Sequence, residues 1–225
     1  MSEINLLKNY PKTKRDLSKA TIERTDDVRK VARKFDKEFF DGDRRYGYGG
    51  YNYNPRFWTK VVKDFVDYYN LNDNSKILDV GCGKGFMLYD FLQYNNKFSI
   101  QGIDISNYAI SNSMPEVKAN LEVGDAKELN FEDNSFDLVI SINTIHNLEK
   151  PECAKSLKEI ERVSKKNKFI IVDAYRNEDE KKRMYAWNLT AKTIMHVDEW
   201  KVFFEENDYR GDYYWFTPWN YQKKN

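Results

Sequence analysis

Between residues 76 and 175, short apolar runs alternate with amphipathic segments, and that alternation limits the chain to very few folds. "KILDV" (76–80), "FSIQGID" (98–104), "FDLVISIN" (136–143) and "FIIVDAY" (169–175) read as strands, and "NLEVGDA" (120–126) contains another. "FDLVISIN" is nearly continuous in apolar residues, as expected of a strand covered on both faces. "GFMLYDFLQY" (85–94) and "PECAKSLKEIERVSK" (151–165) read as helices between strands, the second with Pro151 at its first position, where the missing N–H costs nothing. "VDEWKVFFEEN" (197–207) reads as a last helix, and "DYYWFTPW" (212–219) holds a final strand. The pattern predicts an α/β chain: a doubly wound sheet of six to seven mostly parallel strands with helices on both faces. Ligands of such sheets bind at the carboxyl ends of the strands.

At 225 residues the chain suits one globular core, divided here into an arm and lid segment (1–55) and a main domain (56–225). "TDDVRKVARKFDKEFF" reads as a helix capped by Thr25, within a charge-rich stretch expected to form one or two surface helices or a mobile arm. From Phe57 to Tyr69 apolar residues recur near every 3.6 positions, a helix that Pro55 introduces. The 37 Lys and Arg nearly cancel the 36 Asp and Glu, leaving +1, too weak a field for non-specific nucleic-acid binding. No apolar run reaches the ~18 residues of a membrane span. The N-terminus lacks a signal peptide's apolar stretch, and two cysteines make no disulfide framework. A cytoplasmic protein, monomer or homodimer, is the expectation.

"LDVGCGKGF" (78–86) carries the chemistry. Asp79 ends the first strand, and Gly81, Gly83 and Gly85 follow at alternate positions. Glycine permits a tight turn and lets a ligand approach the backbone. Asp104 ends the second strand nineteen residues past Gly85, where a carboxylate can accept hydrogen bonds from both hydroxyls of a ribose. A diphosphate site spaces its glycines G-x-G-x-x-G. This loop runs G-x-G-x-G behind an acid, which repels a diphosphate and suits an ammonium group.

With "GIDIS", "GDAKEL" and "FDLVISINTIHNL", this loop resembles the motifs of the class I S-adenosylmethionine-dependent methyltransferases, and Phe131 with "DNSFD" (133–137) resembles their menaquinone/ubiquinone-methyltransferase-like branch. The resemblance covers about residues 60–175 and implies a Rossmann-like fold, S-adenosylmethionine as cofactor and S-adenosylhomocysteine as product. It places Asp79 near the methionine ammonium, with Gly81, Cys82 and Gly83 against the cofactor, Cys82 as a small packing residue. It puts Asp104 on the ribose, Ile105 on the adenine, Asp125 and Ala126 at the adenine amino group, and Ser141 and Ile142 at the methionine end. No further carboxylates gather at these strand ends, so no metal is expected. The chain also looks, more loosely, like bacterial methyltransferases that modify surface-polysaccharide building blocks.

His146, just past the fourth strand, is the candidate catalytic base, or else a structural residue capping the next turn; Asn143 joins it on the acceptor side. His196 reads as a turn or surface residue. "GDRRYGYGGYNYNPRFW" (42–58) has three readings: a lid, core packing, or a stacking platform for nucleic acid. As a lid, Arg44 and Arg45 would grip an anion, and Tyr46, Tyr48 and Tyr51 would face a small polar substrate. Arg183, Tyr185 and Trp187, before the last helix, are further pocket candidates. The leading expectation is O-methylation of a small, anionic or hydroxylated metabolite such as a sugar phosphate or nucleotide sugar, without nucleic-acid or membrane partners. An RNA or protein methyltransferase and a non-catalytic cofactor-binding module are the alternatives.

Overall fold

A computed structural model describes residues 1–11 and 24–218. Helix α1 (Asp26–Ala32) starts where the Thr25 side chain accepts the Val28 N–H, and the short α2 (Lys37–Phe40) follows. Residues 12–23, part of the expected arm, and Trp219, the end of the expected last strand, lie outside the described residues. Helix α3 (Pro55–Tyr69) opens at Pro55 behind an Asn54 cap, two residues before its apolar stripe begins. It ends at Asn70 in the left-handed region, which asparagine tolerates.

The sheet is then laid down: β1 (Lys76–Val80), α4 (Phe86–Tyr94), β2 (Ser99–Asp104), α5 (Asn107–Ser111), β3 (Leu121–Val123), β4 (Phe136–Ile142), α6 (Lys150–Val163), β5 (Ser164–Tyr175), α7 (Glu178–Trp187), β6 (Met195–His196), α8 (Val197–Glu206) and β7 (Asp212–Phe216). Its order is β3-β2-β1-β4-β5, with β6 and β7 both pairing the far edge of β5. Every pairing between these strands is parallel. This is the doubly wound arrangement the alternation predicts and the Rossmann-like fold the family resemblance implies. β5 begins five residues before its apolar run, because "SKKNK" pairs through its backbone next to a register shift in β4.

One face packs Ile77, Leu138, Ile140, Phe169 and Ile171 against Val61, Val62 and Phe65 of α3 and Leu88 and Phe91 of α4. The other packs Leu78, Val80, Val139, Ile170 and Val172 against Leu157 and Ile160 of α6 and Trp200 and Phe204 of α8. Side chains alternate along a strand. Asp79 on β1 and Asp173 on β5 therefore both fall on the α3 face, near the carboxyl edge. The N-terminal residues border the outer edge: Ile4 N–H donates to the Tyr213 carbonyl, and Tyr213 N–H to that of Ser2.

Phe65 meets Phe169 edge-on at 5.1 Å, and both are fully buried. Phe65→Ala should lower the unfolding free energy by about 3–5 kcal/mol, measured by urea denaturation.

Candidate active site

Three backbone features build the turn after β1. Gly81, Gly83 and Gly85 have φ of +89°, +56° and +78°. The Ile103 carbonyl accepts the N–H groups of Gly81 and Cys82 at 2.8 and 3.0 Å, which fixes the turn against β2. A Cβ on Gly81 would lie 2.1 Å from the Thr144 hydroxyl oxygen, so the turn and the chain after β4 fit only without a side chain there.

Two acids sit at the turn. The Asp104 carboxylate accepts the Gly83 N–H at 2.8 Å and the Ser106 N–H at 2.9 Å. Burial raises its pKa, against the pull of those two donors. Asp79 is 6% exposed, and no described residue donates to its carboxylate. Burial, with the charge of Asp104 added, pushes its pKa up to about 7. A buried, unpaired carboxylate beside an open backbone turn suits a cationic ligand group. Cys82 is buried, with its thiol pushed well up by burial and by both acids, which suits packing and not nucleophilic attack.

The remaining cofactor candidates lie around this turn. Ile105 is 55% exposed beside Ser106, in a hollow also lined by Phe35 and Tyr108. Asp125 accepts the Lys127 N–H and, with Ala126, follows β3; the neighbouring Gly124 N–H donates to the Asp104 carbonyl. The Ser141 hydroxyl donates to the Val80 carbonyl at 3.0 Å inside the sheet, and Ile142 is half-buried on the α3 face. Asn143 is exposed, with φ +55° and its N–H on the Ile171 carbonyl.

His146 is 4% exposed, and its Nδ1 accepts the Asp173 N–H at 2.8 Å. A backbone amide only donates, so the neutral ring carries its proton on Nε2. Burial lowers the pKa to about 3. One nitrogen is thus engaged and the other already protonated. The His146 carbonyl also accepts the N–H groups of Lys192 and Thr193, so this residue joins three segments. His196 caps α8, accepting the Asp198 N–H through Nδ1.

The segment 41–54 crosses the glycine turn. A Cβ on Gly83 would lie 3.2 Å from the Tyr51 ring, and the Tyr51 ring packs at a tilt against Tyr48 at 4.3 Å and Phe86 at 4.7 Å. One residue holds this strap: Asp41 accepts the Lys84 ammonium at 2.6 Å, the Tyr108 hydroxyl at 2.8 Å and the Tyr51 N–H at 2.9 Å. Lys84 also donates to the Tyr51 carbonyl. Burial would raise the Asp41 pKa, but the Lys84, Tyr51 and Tyr108 bonds together hold it down. Neither Asp41 nor Lys84 stands out in the sequence, because their contact spans 43 residues. On the other side, Arg29 donates to the Asn188 carbonyl and Arg33 to those of Thr190 and Ala191.

The paired arginines lie at the exposed outer turn of the strap. Arg44 donates to the carbonyls of Gly47 and Tyr48, both at 2.6 Å, closing its own loop. Arg45 stacks on Tyr46 and pairs with Asp43 at 3.7 Å. Trp187 lies 6.5 Å, ring to ring, from Phe216 and carries Arg24 on its face; Tyr185 is half exposed. No cluster of three metal-ligating side chains occurs among the described residues.

Residues 71–210 match the family described as a methyltransferase domain. The chain belongs to the class I S-adenosylmethionine-dependent methyltransferase domain family. Over 191 residues it is 29% identical to 2-methyl-6-phytyl-1,4-hydroquinone methyltransferase of Synechocystis, covering 76% of this chain and 58% of that protein. It is 29% identical over 154 residues to demethylmenaquinone methyltransferase of Symbiobacterium thermophilum, covering 64% of this chain and 60% of that one. The chain thus spans under two thirds of the length of either relative. The crystal structure of the YcgJ protein of Bacillus subtilis shares the fold, with a TM-score of 0.51, 17% identity and coverage of 65% of this chain and 66% of that one. No helix among the described residues is long and apolar enough to cross a membrane.

Asp41→Asn removes the charge that seats Lys84. Amide hydrogen exchange at residues 47–51 should quicken about 10- to 100-fold, since hydrogen bonds to charged groups are worth about 1.5–3 kcal/mol.

Proposed function

We propose that this chain transfers a methyl group from S-adenosylmethionine to an oxygen of a small polar metabolite. The observation that carries this reading is Asp79: a buried carboxylate with no donor among the described residues, beside a G-x-G-x-G turn whose three glycines all have positive φ. Its charge complements the cofactor's ammonium. Asp104, already fixed by two backbone amides, offers its oxygens to a ribose, and the exposed Ile105 side chain, in a hollow with Phe35 and Tyr108, offers an apolar surface for an adenine. The cofactor supplies an electrophilic methyl group on a sulfonium; the protein's part is to align the acceptor and exclude water. Tyr51 and the strap perform the second task by covering the turn. The strap's dense packing supports a small acceptor over a macromolecule, which would need the Asp41 clasp to open. An anionic acceptor would meet Arg45 at the rim, since Arg44 is committed to its own turn. His146 serves as scaffold in this reading: its ring holds the Asp173 amide and positions the end of β5. The two relatives are named for methyl transfer to a phytyl hydroquinone and to demethylmenaquinone; neither name supports the surface-polysaccharide link.

Incubating the protein with methyl-labelled S-adenosylmethionine and an extract of cells lacking it tests the reading. Label should enter the small-molecule fraction. Label confined to RNA or protein contradicts it. Asp104→Ala should weaken S-adenosylhomocysteine binding about tenfold or more in calorimetry, as hydrogen bonds to a charged group are lost. Cofactor affinity should rise with pH through about 7, because only ionised Asp79 attracts the ammonium, and Asp79→Asn should flatten that rise.

A further inference from the structure

Three buried acids face the same side of the sheet near its carboxyl edge, and the cofactor reading employs two of them, Asp79 and Asp104. The third, Asp173, is 6% exposed near the end of β5. Its backbone is fully engaged: its N–H donates to His146 Nδ1 at 2.8 Å, and its carbonyl accepts Trp200 Nε1 at 3.0 Å. Its carboxylate receives no hydrogen bond from any described residue. Removing one from water without a donor costs several kcal/mol, a cost that a hydrogen-bonding ligand offsets.

Its position matches an acceptor site. Ile171 pairs with Ile142, the last residue of β4, so Asp173 stands two residues further along and clear of that strand's end. Asp79 lies two strands away on the same face, paired with Ile140. A small molecule over the end of β4 lies between these two acids. Phe216, paired with Asp173, and Trp187 beyond it supply an apolar wall.

Resting on the methyl-transfer reading above, we propose that Asp173 binds the acceptor's hydroxyl group and takes its proton during transfer. As the acceptor oxygen bonds to the methyl carbon, the carbon–sulfur bond breaks, its electron pair stays on sulfur, and the acceptor's proton passes to the Asp173 carboxylate. Solvent then removes that proton. Two charged or titratable groups face the carboxylate among the described residues. His146 Nδ1 is 3.6 Å away on a neutral ring, and Arg24 acts through its charge. Burial pushes the Asp173 pKa up to about 7 against the pull of Arg24, which makes it a stronger base than an ordinary aspartate. His146 then acts through Asp173, as the residue that fixes its backbone. This assigns the acceptor side to a group that donates a hydrogen bond.

The test uses the full chain, methyl-labelled S-adenosylmethionine and the small-molecule fraction of the same extract. Asp173→Asn should bind S-adenosylhomocysteine within about twofold of wild type, yet transfer label about 100-fold or more slowly, the usual scale of general-base catalysis. With S-adenosylmethionine saturating at every pH, so that the Asp79 effect on cofactor affinity drops out, the wild-type rate should rise with pH through about 7, and the variant should lose that rise. Carbon NMR of labelled aspartate carboxyls gives a readout independent of turnover. The Asp173 resonance, assigned in the wild-type protein through its own backbone amide, should titrate near pH 7, a result that does not depend on how the variant folds. Near-wild-type transfer by the variant overturns the inference, and so does titration of that resonance in the ordinary aspartate range. Failure of the underlying reading looks different: wild type then binds no S-adenosylhomocysteine or labels no small molecule, and the inference falls with it.

Discussion

Asp104 ties the glycine turn to the neighbouring strand, and the site depends on that link. One carboxylate collects the amides of Gly83 and Ser106, while the Ile103 carbonyl one residue earlier takes those of Gly81 and Cys82. These bonds hold three glycines in left-handed conformations that residues with side chains would resist. The parallel pairing of β1 with both β2 and β4 brings the ends of all three strands to one edge. There the turn meets Asp79, Asp104 and the chain after β4 with no side chain in between.

The acids at this edge differ in how far they are satisfied. Asp104 and Asp41 are hydrogen-bonded, and each organises a loop. Asp79 and Asp173 are buried without donors among the described residues, and burial raises both toward neutrality. A fold keeps such groups at a cost in stability, and ligand binding recovers it. The strap follows the same economy. Asp41, Lys84 and Tyr108 satisfy one another and so hold Tyr51 over the turn.

Much of this was legible in the sequence, because strands covered on both faces leave continuous apolar runs. β1 coincides with its apolar run from Lys76 to Val80, and the glycine turn together with Asp104 points to the cofactor from sequence alone. Local polarity hid the first residues of β5, where "SKKNK" pairs through backbone alone. Long-range contacts were hidden too. Lys84 meets Asp41 across 43 residues, and Asp173 is a single acid within the apolar run "FIIVDAY", so neither carries a local signal. Arg44 read as an anion grip because the sequence cannot show that its guanidinium closes its own loop. The two open possibilities for His146 could be weighed only once its Nδ1 was seen to accept a backbone amide.

The central claim is that the turn and its two acids select an ammonium-bearing nucleoside over a dinucleotide. Isothermal titration of the same protein with S-adenosylhomocysteine and, separately, with NAD tests it most directly. The account predicts saturable binding of S-adenosylhomocysteine and none of NAD. Binding of NAD, or of neither ligand by folded protein, would contradict it.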